Sequence, residues 1–286
     1  MLVNAKDLLE KAKKEGYAIG AFNTVNLETT QAIIEAAHEL SSPVIVQMTE
    51  KTFDYAGGRV IFQLTKNIAE FYHPEVPVAI HLDHGKNFEV VDRAMEIGFG
   101  SVMYDGSRKD YADNLKITKK IVGLAHDKGI AVQAELGNVP YIGEMQMETV
   151  EWERYMTDPD QAVQFVTETG IDTLAVAIGN AHGFFRERSE PDYDRLSTIA
   201  SLVDIPLVLH GASDWHNGRV AEVINRGISC FNVDTATRLA FIGALREMLQ
   251  SEDEADLRKV LGKAREAVKE TVKEKILSFG SSGKIA

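Results

Sequence analysis

Short apolar runs rich in β-branched residues alternate along the chain with longer segments whose apolar residues recur at helical spacing. The apolar runs predict strands at YAIGAF from residue 17, PVIVQM from 43, VPVAIHL from 77 and SVMYD from 101. Four more follow at IAVQAEL from 130, DTLAVAI from 172, PLVLH from 206 and ISCFNV from 228. Helical segments between them include 27–40, 87–97, 110–128, 158–169, 216–226 and 235–249. Such alternation builds a parallel sheet with crossover helices. Eight units without a Pro/Gly/Ser-rich linker predict a single domain over residues 1–286. Its expected class is α/β, a closed (β/α)8 TIM barrel and not a doubly wound sheet. The start, MLVNAKDLLEKAKKEG, reads as a polar helix, and the last thirty residues as an additional amphipathic C-terminal helix with a frayed tail.

One segment breaks the rhythm. Between AELG and DTLAVAI, the stretch NVPYIGEMQMETVEWERYM has no clear period before a helix start at TDPDQA. Thr157 or Asp158 is suited to cap that helix, with Pro159 in its first turn. A connection this long inside a compact barrel reads as a functional loop more readily than as a surface insertion.

Strand phase sorts the polar residues. Ala79, His81 and Asp83 share one phase, as do Gln133 and Glu135, or Cys230, Asn232 and Asp234; the polar phase is expected to face inward. These groups gather toward strand C-termini, where barrels of this class build their active sites. Asp83, His84, Asp105, Glu135, His182, His210, Asn232 and Asp234 are therefore expected to ring one mouth. A lone strand-end histidine is more often structural than a ligand. Three at the ends of different strands, with carboxylates beside them, favour a divalent metal, and neutral imidazoles suit zinc. His81 is expected to make a core hydrogen bond; His38, His73, His126 and His216 are read as structural or exposed.

Small residues form a second constellation in GNAHG, HGAS and NVDT, after strands six, seven and eight. Gly183, Gly211, Ser213, Asp234 and Thr235 suit a phosphate cradle of backbone N–H groups and a helix N-terminus. Each glycine could instead serve a turn, and the Asp234 carboxylate would repel a phosphate unless an N–H or a cation intervenes.

Composition narrows the function. A net charge of −12, from 43 acidic against 31 basic residues, argues against broad binding to nucleic acid. The single cysteine, Cys230, excludes an internal disulfide. No cleavable apolar signal and no run of about 20 apolar residues is present, so a cytoplasmic enzyme or binding protein without membrane contact is expected.

YAIGAFN, HLDHG, SVMYDGS, AELG, AIGNAHG, PLVLHGAS and FNVDT occur in an order that resembles the class II, metal-dependent ketose-bisphosphate aldolases, which include fructose- and tagatose-bisphosphate aldolases. The resemblance runs along nearly the whole chain. It implies a catalytic Zn2+ held by His84, His182 and His210, with Glu135 behind them or as an alternate metal group. Asp83 is implied as the acid/base at the C4 oxygen. Gly183, Gly211, Ser213, Asp234 and Thr235 would hold the phosphate of the dihydroxyacetone-phosphate half, and Asn232 its enediolate. Asn23 and Thr49 would line the substrate channel. Arg258 resembles an arginine that reaches the distal phosphate, and the family forms dimers or tetramers.

The implied activity is reversible cleavage of a ketose 1,6-bisphosphate, of fructose or tagatose type, to dihydroxyacetone phosphate and an aldehyde. A lysine Schiff base could provide the same electron sink, but no lysine lies in a predicted strand. Three departures bear on the substrate. Glu144 stands one position beyond the family's loop glutamate, with Pro140 and Tyr141 where a glycine pair is usual. Asp214 replaces a glycine, where its position permits it to cap the next helix. Cys230 replaces a lysine, a charge that Arg186, Arg188 or Lys86 could restore. The alternatives are a class II aldolase for another ketose phosphate or a modified sugar acid, a non-catalytic metal-binding barrel subunit, or an isomerase or epimerase.

Overall fold

In a computed structural model, which describes residues 1–141, 152–183, 190–250 and 255–285, eight parallel strands close into a barrel in sequence order. The strands are β1 (Ile19–Asn23), β2 (Val44–Thr49), β3 (Val78–Gly85), β4 (Ser101–Tyr104), β5 (Ala131–Leu136), β6 (Thr173–Val176), β7 (Leu207–Leu209) and β8 (Ile228–Val233). Around them lie α2 (Leu27–Glu39), α5 (Phe88–Ile97), α6 (Tyr111–His126), α7 (Pro159–Thr169), α8 (Tyr193–Leu202), α9 (Asn217–Asn225) and α10 (Thr235–Met248). This is the (β/α)8 fold that the alternation predicts.

The barrel interior is layered. At the bottom, Ile19, Ala21, Ile45, Ala79, Met103, Ala175, Val208 and Cys230 pack into one apolar cluster. The polar N-terminal segment forms α1 (Ala5–Glu15), whose Ala5, Leu9 and Ala12 join that cluster and close the barrel's lower end. Cys230 is thus fully buried below the mouth, where its thiol packs among apolar side chains. Above this layer the same strand phase turns polar, at Asn23, Gln47, Asp83, Gln133, Glu135 and Asn232, all buried. The opposite phase, such as Phe22, Val46, Leu82 and Phe231, packs outward against the helices.

Helix boundaries follow local chemistry. Asp158 accepts the Gln161 N–H, with Pro159 in the first turn of α7, as predicted. Asn26 and Thr29 form a reciprocal capping box on α2. The α9 cap is His216, whose Nδ1 accepts the Arg219 N–H at 3.2 Å, and not Asp214 as its position would permit.

The structure adds two features. Between β2 and β3 the chain forms a short helix, α3 (Glu50–Thr52), and α4 (Gly58–Asn67), each running into a π-helical turn. The C-terminal helix α11 (Leu257–Phe279) presents Val260, Ala264, Val268, Val272 and Ile276 at four-residue spacing to the core. Its tail is tied down, contrary to the frayed end expected. Ser281 Oγ lies 2.9 Å from Ser42 Oγ, and the Gly283 N–H donates to the Leu40 carbonyl at 2.9 Å.

Candidate active site

HLDHG ends β3 with two consecutive side chains aimed at the mouth, although strand residues normally alternate faces. The pairing of β3 with β4 shifts register between Leu82 and Gly85, and His84 adopts a left-handed φ of 49°. That conformation is strained for a residue with a side chain, and such strain concentrates at functional sites. Gly85 is required next: an added Cβ would lie 2.7 Å from the Met103 carbonyl oxygen. The bulge brings His84 Nε2 to 3.8 Å from Asp83 Oδ1.

The imidazoles of His84, His182 and His210 converge, with one ring nitrogen of each within 4.8 Å of the others. His84 Nδ1 lies 2.8 Å from Asp105 Oδ2, and His210 Nε2 lies 3.2 Å from Gln133 Oε1. Each of these oxygens accepts a hydrogen bond from the ring N–H, so where a ring is neutral its other nitrogen, His84 Nε2 or His210 Nδ1, carries a lone pair. Those two nitrogens face each other at 3.0 Å. Two lone pairs so placed repel unless a proton or a cation lies between them. Ligand nitrogens of a tetrahedral zinc with bonds near 2.0–2.1 Å are separated by roughly 3.4 Å, so the donor set fits a divalent metal.

The surrounding charges are consistent. Burial disfavours the His84 cation, but Asp83 and Asp105 outweigh it and push the imidazole up to about 10. Burial and the neighbouring His84 charge hold His210 well below its usual value. Asp83 is buried, yet His84, His210 and a hydrogen bond from Asn23 keep its carboxyl below the ordinary range. Glu135 is pushed up to about 8 by burial and by Asp105. Its Oε1 accepts the Val139 N–H at 3.2 Å, while buried Oε2 has no hydrogen-bond partner among the described residues. Together with His84 and Asp105 it forms a second set of converging donors.

Asp83 is held on both oxygens. Asn23 Nδ2 donates to Oδ2 at 2.9 Å and Asn232 Nδ2 donates to Oδ1 at 3.1 Å. Gln47 Nε2 in turn donates to Asn23 Oδ1 at 2.7 Å, fixing the Asn23 amide. His81, as expected, bonds within the core, 2.8 Å from Ser101 Oγ.

A cavity of about 270 Å³ opens above these groups, lined by Asn23, Thr49, Asp83 and the three histidines on one side. Gly183, Gly211, Ser213, Asn232, Asp234 and Thr235 also line it. Gly211 has φ 65°, and an added Cβ would lie 2.5 Å from the Ala181 carbonyl group. The absence of a side chain there lets the loops bearing His182 and His210 touch. Asn180 bridges the same loops, its Nδ2 donating to the His210 carbonyl at 2.9 Å.

Most of the predicted residues therefore meet in one place. Arg258 does not: it is exposed on α11, paired with Asp256 at 2.8 Å, and does not line this cavity. Glu144, Arg186 and Arg188 lie outside the described residues. Lys86 lines a neighbouring cavity of about 250 Å³ on the Asp105 side. Sequence reasoning missed Arg238, which lines the main cavity with its Nε 3.2 Å from Asp234 Oδ2. Asp234 leads into α10 without a side-chain capping bond; its carboxylate faces Arg238 instead. Gln133, Asn180 and Ser107 were also missed; Ser107 Oγ donates to Asp105 Oδ1 at 2.7 Å. Tyr141 stacks on His182 with ring centroids 4.5 Å apart, and the His182 N–H donates to the Pro140 carbonyl at 2.8 Å. The residues that replace the loop glycines thus buttress a histidine.

Comparison with known proteins agrees with this geometry. Residues 3–284 match the family model described as fructose-bisphosphate aldolase class-II. The chain is 43% identical to a fructose-bisphosphate aldolase of Thermus caldophilus, over 99% of this chain and 100% of that one. It is 40% identical to one of Helicobacter pylori, with complete coverage of both. Among solved structures, the YdjI aldolase of Escherichia coli K12 superposes with a TM-score of 0.87 at 33% identity, covering 100% of both chains. A putative fructose-1,6-biphosphate aldolase of Coccidioides immitis gives a TM-score of 0.88 at 29% identity, covering 99% of this chain and 98% of that one.

Proposed function

The chain belongs to the class-II fructose-bisphosphate aldolase family, and from that membership we propose that this metal-dependent aldolase acts on fructose 1,6-bisphosphate. The products are dihydroxyacetone phosphate and glyceraldehyde 3-phosphate. The observation that carries the reading is the convergence of one ring nitrogen from each of His84, His182 and His210, with Asp83 beside His84 Nε2.

His84, His182 and His210 would hold a zinc ion, which would supply Lewis acidity toward the ketose carbonyl, the sink for the electron pair released when C3–C4 breaks. The chain's own residues do the rest. Backbone N–H groups around Gly183, Gly211, Ser213 and Thr235 hold the C1 phosphate, at the N-terminus of α10. Asp83, ionised at neutral pH, takes the C4 hydroxyl proton in cleavage and returns it in condensation. Asn23 and Asn232 fix the carboxylate, and Asn232 also donates to the oxygen on which negative charge develops. Glu144 is assigned the proton at C3, Thr49 the channel wall and Glu135 the shell behind the histidines.

Arg258, which does not line its own chain's cavity, is assigned a role at the distal phosphate of a partner in a homodimer or homotetramer. A cytoplasmic location agrees with the sequence, and among the described residues no helix is long and apolar enough to cross a membrane. Release of triose phosphate from fructose 1,6-bisphosphate by zinc-loaded enzyme tests the proposal. A zinc-loaded, folded enzyme that releases none rejects it.

A further inference from the structure

Away from the mouth, the end of α2 and the turn entering β3 bring together a second set of metal-binding side chains. His38 lies in the last turn of α2, while His73 and Glu75 belong to the connection from the π-helical turn to β3. His38 Nδ1 is 2.5 Å and His73 Nδ1 is 3.7 Å from the same oxygen, Glu75 Oε1. The imidazoles stack with centroids 4.3 Å apart, and one donor atom of each of the three residues lies within 4.8 Å of the others.

We infer that His38, His73 and Glu75 form a second divalent-cation site, of zinc type, on the N-terminal face of the barrel. Two imidazoles and a carboxylate are a common zinc donor set, and three protein ligands leave a position for water. The partial exposure of all three side chains, 48% for His38, 21% for His73 and 46% for Glu75, gives a metal access and leaves room for that water. The negative end of the α2 dipole at His38 favours a cation.

The ligand turn is preorganised. The N-terminal amine of Met1 donates to the carbonyls of Pro74 at 2.7 Å and Val76 at 2.6 Å, which flank Glu75. The Val76 N–H closes the turn on the His73 carbonyl at 3.1 Å, and the Val78 N–H donates to the Met1 carbonyl at 2.9 Å. The Met1 ammonium would oppose a second cation, but burial lowers the amine below its ordinary value against the opposing pull of Glu75 and Glu70, which weakens that charge. A bound metal would clasp α2 to the entry of β3. That face of the barrel serves stability and not chemistry.

The experiment counts zinc per chain after dialysis of the full-length enzyme at a fixed low free-zinc concentration, with thermal unfolding measured on the same samples. Wild type should bind roughly two zinc ions per chain, and His38→Ala and Glu75→Gln roughly one. In both variants kcat for the wild-type reaction should stay unchanged, and the rise in melting temperature with added zinc should shrink. His84→Ala, which strikes the catalytic cluster, should retain about one ion and lose it on adding His38→Ala. If His84→Ala does not fold, the surface variants alone decide. Equal stoichiometry in wild type and His38→Ala would leave an ordinary surface ion pair and overturn the site.

Discussion

His84 and Asp105 are joined by a 2.8 Å hydrogen bond from the imidazole Nδ1 to the carboxylate, and that bond turns Nε2 toward the converging histidines. Ser107 holds the other carboxylate oxygen through both its N–H and its hydroxyl, at 3.2 and 2.7 Å. The angle of the His84 ring, which we propose as a metal ligand, is thus set by Asp105 and Ser107. Asp105→Asn should weaken zinc binding by about 10–100-fold, read as the free-zinc concentration giving half-loading. Unchanged affinity would remove Asp105 from the metal site.

Asp83, held between Asn23 and Asn232, is the residue we propose for proton transfer and not for ligation. Asp83→Ala should keep its zinc and lose about 10²–10⁴-fold in cleavage rate. Loss of the metal in this variant would contradict the division of labour, and wild-type rate would remove Asp83 from the chemistry.

Arg238 offsets the Asp234 carboxylate in the proposed phosphate cradle. With Asp234 facing the cavity and no lysine at Cys230, it is the cation that the main cavity's described lining supplies. Arg238→Ala should raise KM for a phosphorylated ketose by about 10-fold or more, the loss of one charge-assisted contact plus exposure of Asp234, with kcat little changed. Inhibition by inorganic phosphate should weaken in parallel. Equal KM and equal phosphate inhibition would show that Arg238 serves Asp234 alone.

At the other end of the barrel, Asp172 is buried and accepts from the Val132 N–H at 2.8 Å, Lys6 Nζ at 2.9 Å and His126 Nε2 at 2.8 Å. Burial opposes its charge, but these partners hold its carboxyl below the ordinary 3.8. A depressed folded-state value means stability that is present above the unfolded value and lost as pH falls through the folded one. Acid unfolding should therefore include a component below about pH 4 that Asp172→Asn removes. At neutral pH the substitution should lower unfolding free energy by about 1–3 kcal/mol in denaturant titration. An unaltered acid transition would exclude this network as its source.

Strand positions were legible because buried parallel strands write themselves as apolar runs, and the site was legible because its polar residues interrupt those runs at their ends. HLDHG, His182 and His210 stood out for that reason. Their supports did not: Gln133 looks like any polar residue in strand phase, and its bond to His210 depends on a strand two positions away in the barrel. Arg238 sits one turn inside a helix, where an arginine ordinarily signals only a solvated face. The π-helical turns after β2 carry no periodic signature, and the tail after α11 is ordered by Ser42 and Leu40, more than two hundred residues away in sequence. Asp214 was legible as a departure, but not that His216 would take the cap.

The central claim is that the histidine cluster and Asp83 form a working metal-dependent aldol centre. The most direct measurement is cleavage of fructose 1,6-bisphosphate, with tagatose 1,6-bisphosphate for comparison, before chelation, after it, and after zinc is restored. The account predicts cleavage of the fructose substrate that disappears on chelation and returns with zinc. Cleavage that survives complete removal of the metal, or restored zinc without cleavage of either sugar, would contradict it.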